Sequence, residues 1–165
     1  MIEKNTPTFT FENQIEIQGQ PPFVWNIFRD LENWPSWNPV CLNAQWLKGP
    51  SWVNQSEFNL NTLVGEHQLE GTAELLQSDF PWIIEWSRQI ENINEKRTFE
   101  LDWRGQTSIV IDTITVVLQD STVDKVNLEQ SYKQMSTIWL EALKTEVLRN
   151  GDKLWNLSAA ERPKK

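Results

Sequence analysis

The chain is short of the residues on which most polar catalysis is built. Cys41 is the single cysteine among 165 residues, so no intramolecular disulfide can form and metal sites made from paired cysteines are excluded. His67 is the single histidine, which leaves a Ser-His-Asp triad, a multi-histidine metal centre or HExxH zinc chemistry without parts. Glycine is scarce too, and no phosphate-cradling loop, nucleophile elbow or dinucleotide fingerprint occurs. Cations are the minority charge: 15 Lys and Arg face 23 Asp and Glu, a net charge of -8. Nucleic-acid binding relies on clustered cations that displace counterions, and anionic membranes are held by basic amphipathic surfaces, so both partners are disfavoured. No stretch approaches the roughly 20 apolar residues of a membrane span, and Met1 to Pro7 lacks the basic patch and apolar run of a secretory leader. The expectation is a cytoplasmic protein with no metal or other cofactor and no stable membrane insertion.

What the chain has in excess is tryptophan, ten in all, at 25, 34, 37, 46, 52, 82, 86, 103, 139 and 155. Each ring can bury about 150 to 250 Å² and then needs a partner for its N–H. So many wide, rigid rings suit a roomy interior. A hydrophobic fraction of 39% and a charged fraction of 23% are ordinary for a globular protein, and the length predicts one domain over 1–165, with its core at about 8–150 and a flexible polar tail after about 156.

Periodicity gives the order of elements. Phe9 to Gln18 alternates strictly, with Phe9, Phe11, Ile15 and Ile17 on one side and polar residues on the other, which predicts a half-buried strand. Gly19 breaks it, and Pro21-Pro22 opens a short helix carrying Val24, Trp25, Ile27 and Phe28. Pro35 and Pro39 restrict the residues before them, so Leu31 to Pro39 reads as a helical turn followed by a corner. From Val40 to about Leu118 extended segments follow one another, and an antiparallel meander is expected. Its predicted faces set Leu42, Ala44 and Trp46 together, then Phe58 with Leu60, and His67 with Leu69, Ala73 and Leu75. Trp82, Ile84 and Trp86 share the next face, and Phe99, Leu101 and Trp103 the one after; the register of the last strand stays open, since both its faces are apolar. From about Leu128 the period becomes helical, with a stripe of Leu128, Tyr132, Met135, Trp139, Leu143 and Val147. Asn150-Gly151 stops this helix, with Gly151 expected in the left-handed conformation. A helix of some twenty residues is about 30 Å long and covers a whole sheet. The predicted class is therefore α+β: a curved antiparallel sheet of about seven strands wrapped around a long C-terminal helix, with two short helices after the first strand.

The run from Pro22 to Pro39, containing Val24-Trp25, Asp30 and the corner Trp34-Pro35-Ser36-Trp37-Asn38-Pro39, resembles the opening of the START-like superfamily, also called SRPBCC, especially its polyketide cyclase and lipid-transport branch. Ile83 to Ser87 and Leu140 to Glu146 extend the resemblance over roughly Thr8 to Arg149. It implies a helix-grip fold with a deep pocket between sheet and final helix. It also implies a divided set of activities: lipid or sterol carriage, aromatic polyketide cyclisation, hormone or alkaloid binding, and co-chaperone duty. The chain departs from the family between Asp120 and Val126, where no glycine-rich turn leads into the final helix.

The predicted inward faces nominate Trp34, Trp37, Phe58, His67, Leu69, Trp82, Trp86, Arg88, Phe99, Trp103, Tyr132, Met135 and Trp139 as contacts of a hydrophobic ligand. Alternatives stay open for several. His67 is either a solvated or structural side chain, a ligand contact, or an acid or base near neutral pH. Arg88 either forms a surface ion pair or sits at the cavity mouth, where it needs a carboxylate from the protein or from an acidic ligand. Tyr132 either bonds a ligand or is satisfied in the core. Trp34 and Trp37 either stack on a ligand or staple the corner to the sheet. Asp102 and Asp112 both lie in predicted strands, and nothing in their spacing brings them together for paired acid and base work. The shortage of catalytic groups favours binding or carriage of a hydrophobic or aromatic small molecule or lipid in an internal cavity. The rivals are a polyketide cyclase or dehydratase using the same cavity, and a protein-partner module built on Trp52 or Trp155.

Overall fold

The computed structural model describes residues 8–119 and 124–151. Trp155, the expected loose tail and most of the Asp120 to Val126 segment lie outside them. The elements run β1 (Phe9–Gln18), α1 (Pro21–Phe28), a 3-10 turn (Leu31–Asn33), α2 (Trp34–Trp37), β2 (Cys41–Lys48), β3 (Glu57–Val64), β4 (His67–Asp79), β5 (Ile83–Ile90), β6 (Ile93–Arg104), β7 (Thr107–Leu118) and α3 (Lys125–Glu146), which ends in a wide turn at Val147–Gly151. The strands form one curved antiparallel sheet in the order β1-β7-β6-β5-β4-β3-β2. The long helix α3 lies in its concavity, with α1 and α2 closing the gap. Among the described residues, no helix is long and apolar enough to cross a membrane.

Local chemistry explains the boundaries. Pro21 and Pro22 occupy the first helical positions of α1, where a missing N–H costs nothing. Asp124 caps α3 by accepting from the Asn127 backbone N–H. The predicted stripe is the buried face of α3: Leu128, Tyr132, Met135, Trp139, Leu143 and Val147 all lose their solvent. Gly151 is not left-handed, contrary to expectation. It is needed for closeness, since a Cβ there would stand 3.0 Å from the Phe23 carbonyl oxygen of α1. Asn26 donates to the Gly151 carbonyl and ties the two helices at this end.

Two registers differ from the sequence reading, and a third that it left open is settled. An irregularity between Cys41 and Asn43 lets Cys41 and Ala44 turn inward and leaves Leu42 41% exposed, where plain alternation groups it with Ala44. Strand β6 starts at Ile93, well before Thr98, and so carries Glu95 and Arg97 onto the inner face. On β7 the inner residues are Ser108, Val110, Asp112, Ile114 and Val116, which settles the open register.

Trp34 joins corner, sheet and helix. It is fully buried, its Nε1–H donates to the Phe28 carbonyl at 2.8 Å, and its ring touches Phe58, Trp86 and Trp139 at centroid separations of 6.4, 5.8 and 5.4 Å. Deleting it removes contacts from three elements and leaves a void that rigid rings cannot refill. Trp34→Ala is expected to lower unfolding stability by about 3 to 5 kcal/mol, read as a reduced urea midpoint; a loss under about 1 kcal/mol would mean that the corner is not what closes the core.

Candidate functional site

The inner face of the sheet and α3 enclose a layered interior. At one end the β3–β4 and β5–β6 turns and the start of α3 frame a hollow of about 660 Å³. Leu69, Ile90, Ile93 and Leu128 supply its apolar walls, and its rim carries Glu66, His67, Glu70, Glu91 and Asp124. Its width is set at Gly65, which has φ +63° and whose missing side chain lets the β3–β4 turn approach α3: a Cβ there would lie 2.7 Å from Ser131 Oγ.

One layer deeper lies a saturated ion pair. Arg88 of β5 gives Nε to Glu95 Oε1 at 2.8 Å, Nη2 to Glu95 Oε2 and to Thr62 Oγ1, and Nη1 to the carbonyls of Leu60 and Leu69. All five of its N–H groups are thereby matched. Tyr132 of α3 donates its hydroxyl to Glu95 Oε2 at 2.7 Å. Burial opposes ionisation of Glu95, but the Arg88 charge and the bonds from Arg88 and Tyr132 outweigh it and hold the carboxyl below its usual range. Burial, reinforced by Glu95, keeps the Tyr132 phenol protonated well past its ordinary value. Cys41 is also buried, and desolvation pushes its thiol up to about 12 against the pull of Arg88 and Arg97, so it is no ready nucleophile.

The third layer holds a second pair. Arg97 of β6 grips Asp112 of β7 through Nε at 2.9 Å and Nη2 at 2.7 Å, and Ser136 of α3 donates to the same carboxylate. The guanidinium lies 4.1 Å from the Trp139 ring centroid and 4.6 Å from that of Phe99, with Trp86 at 6.0 Å. Its Nη1 reaches only the Met135 sulfur, at 3.5 Å. Beyond it Phe28, Trp34, Phe58, Trp86, Phe99 and Trp139 are packed ring against ring.

The nominated residues divide accordingly. His67 and Leu69 line the hollow, but His67 is exposed rather than interior, because β4 runs past the core at its start. Arg88 is neither a surface residue nor at the mouth: it is buried, and the protein itself supplies its carboxylate. Tyr132 is satisfied in the core by Glu95. Trp34, Phe58, Trp86, Phe99, Met135 and Trp139 meet in the aromatic interior, and Trp37 is half-buried with its Nε1 unbonded. Trp82 and Trp103 are not interior at all: they stand 43% and 50% exposed at the far end of the sheet, since β5 begins only at Ile83 and β6 outruns the core there. Trp52, the described half of the partner-surface idea, is held in, with its indole donating to the Arg29 carbonyl and its ring against Trp25 and Trp46. Asp102 pairs with Arg104 at the surface, far from the role of Asp112.

Glu95, Arg97 and Ser136 were not legible as interior groups. Extending the Phe99, Leu101, Trp103 alternation backwards to Ile93 would have placed Glu95 and Arg97 inward, but charges at inward positions imitate a loop. Among the described residues no cluster of His, Cys, Asp and Glu suits a metal ion.

No model of a protein family matches the chain, and no curated protein matches it in sequence. Solved structures match well in shape. A START superfamily protein from Mycobacterium smegmatis superposes with a TM-score of 0.73 at 13% identity, covering 85% of this chain and 97% of that one. The ZhuI aromatase/cyclase from Streptomyces sp. R1128 gives 0.73 at 12%, covering 86% and 94%. Major latex-like protein 151 of Panax ginseng gives 0.71 at 12%, covering 85% and 97%. The chain has the START-type helix-grip fold.

Removing one partner of the Arg88–Glu95 pair strands a buried charge. Glu95→Gln is expected to cost about 3 to 5 kcal/mol at neutral pH, and Tyr132→Phe about 1 to 2 kcal/mol. Because the Glu95 carboxyl is held below its unfolded value of 4.5, its contribution is complete above that pH and lost as pH falls through the lower folded value. Urea midpoints of wild type and Glu95→Gln measured from pH 7 down to pH 3 should therefore converge below about pH 4.5; a gap that stays constant would contradict this assignment.

Proposed function

We propose that the chain binds an apolar small molecule between the sheet and α3, received through the hollow at the β3–β4 and β5–β6 turns. The observation that carries this reading is the hollow itself, about 660 Å³ at the open end of the helix grip, where Leu69, Ile90, Ile93 and Leu128 form an apolar patch within a mostly polar lining. Burying about 300 Å² of apolar ligand surface there contributes about 7 kcal/mol before the cost of association is subtracted. His67, at the rim, is placed to orient a polar group of the ligand.

Carriage fits the interior better than turnover. Glu95 and Asp112, the buried carboxylates, are each locked to a guanidinium and a helix hydroxyl, an arrangement that holds a charge rather than passing a proton. The neighbour from Streptomyces is named an aromatase/cyclase; if this chain turned over a comparable substrate, His67 and the rim carboxylates are the groups at the hollow that would move a proton.

N-phenyl-1-naphthylamine, a neutral apolar dye, is expected to bind with a rise in its fluorescence and a dissociation constant in the micromolar range. Asn127 faces the hollow from an exposed position on α3. Asn127→Trp is expected to weaken the dye about tenfold or more with little change in thermal midpoint. Undiminished binding to this variant would place the ligand elsewhere.

A further inference from the structure

The strands of the sheet do not end together. The β3–β4 pairing runs on to the closing pair of Val64 and His67, whereas β4 pairs with β5 only as far as Ala73 and Arg88. Strand β5 then ends at Ile90, and the chain turns back at Glu91 and Asn92 to begin β6 at Ile93. Beyond Gly71, where a Cβ would stand 2.8 Å from the Gln89 carbonyl oxygen, β4 has no described strand on its β5 side. Main-chain direction alternates along a strand. Leu75 gives its N–H to the Ser56 carbonyl and accepts from the Gln55 N–H, so it faces the β3 side, and the unbroken register puts Gly71 and Leu69 on that side too. The N–H and C=O groups of Gln68 and Glu70 therefore face the other way, across the hollow that both residues line.

Such an overhanging edge is a template for a further strand. At the outer edge of the sheet the equivalent opening is covered, since Glu32 Oε2 accepts the Trp46 N–H of β2 at 3.2 Å. The Glu70 carboxylate gives its own edge no such cover, being turned to Asn59 at 3.0 Å. Resting on the proposal that the hollow receives the ligand, we infer that this ligand is peptide-like: an extended, acylated peptide whose main chain adds to β4 at Gln68 and Glu70 while its apolar groups lie on Leu69, Ile90, Ile93 and Leu128.

Geometry and charge select the chemistry. The N–H and C=O of a trans amide point in opposite directions, so a lone amide offers the edge a single bond. A residue flanked by two amides offers its N–H and its C=O to the same side, as a strand residue does. Gln68 and Glu70 stand about 6.6 Å apart at about 3.3 Å per residue, which is the repeat at which an extended peptide meets the edge again. Around these groups the hollow carries the carboxylates of Glu66, Glu70, Glu91 and Asp124, and no Lys or Arg is among its described lining. A free C-terminal carboxylate is repelled there, so the end of the ligand that lies at the rim is an amide.

The test uses N-octanoyl-leucyl-alanine methylamide, its ester analogue in which oxygen replaces the leucine N–H, and the same acyl dipeptide as the free acid, each displacing N-phenyl-1-naphthylamine from the full chain. The methylamide should bind about tenfold tighter than the other two. Gln68→Pro removes one edge N–H at a kind of strand position that tolerates proline, and should shrink the preference for amide over ester to about twofold or less. In the unaltered protein the main-chain amides of Gln68 and Glu70 should exchange with deuterium faster than those of Leu69 and Gly71, once intrinsic rates are divided out. Saturating methylamide should slow the first two about tenfold, a readout that survives if the variant fails to fold. Equal affinity of methylamide and ester, an acid that binds as tightly as the methylamide, or exchange at Gln68 and Glu70 that ignores the methylamide would overturn the inference, and continued binding of the dye would leave the apolar reading intact. Exchange at these two residues already as slow as at Leu69 would overturn it as well. Failure of dye and all three compounds to bind would overturn the binding proposal itself, and this inference with it.

Discussion

The structure is organised around two arginine–carboxylate pairs buried on the inner face of neighbouring strands. Taking four charges out of water is costly, and the cost is met only because almost every lone pair and N–H finds a partner. The partners come from β3, β4, β5, β6, β7 and α3, so the pairs are satisfied in one arrangement of those elements. Tyr132 and Ser136 stand one turn apart on α3, and each donates to one of the two carboxylates. Two such bonds fix both the rotation and the axial position of the helix, which apolar contacts alone would leave free to slide. Hydrophobic burial supplies the driving force, and the ion pairs select the register.

The aromatic layer depends on the same constraint. Arg97 holds its guanidinium over Phe99 and Trp139, whose rings also touch each other, so the cation that grips Asp112 is packed against the aromatic layer as well. Trp34 then reaches in from α2 and touches Trp139 and Trp86. The result is an interior whose polar bonding is complete beside the hollow and leaves the Trp86 and Trp139 indoles unbonded farther in.

The fold could be read from the sequence because its signals are long. Ten residues of alternation in β1 and six turns of periodicity in α3 leave little freedom, and the Trp34 to Pro39 corner marks the fold by its residues. The site was less legible, for reasons of physical chemistry. A charged residue at an inward position contradicts the binary pattern by which strands are recognised, so Glu95 and Arg97 disguised the first half of β6. Arg88 was noticed, but its saturation depends on carbonyls of Leu60 and Leu69, and backbone acceptors have no signature in a sequence. Trp82 and Trp103 follow the inward alternation faithfully and are exposed because the strands outrun the core, a matter of element length rather than of pattern.

The contacts among tryptophans have an optical consequence. Trp25, Trp46 and Trp34 each touch Trp52 at 5.1 to 6.2 Å, and Trp34 touches Trp86 and Trp139 in turn. At such separations an excitation absorbed by one indole migrates to the others faster than it is emitted. These rings therefore form an unbroken path for energy transfer from Trp25 of α1 to Trp139 beside the buried Arg97, and a quencher at one of them also dims its neighbours.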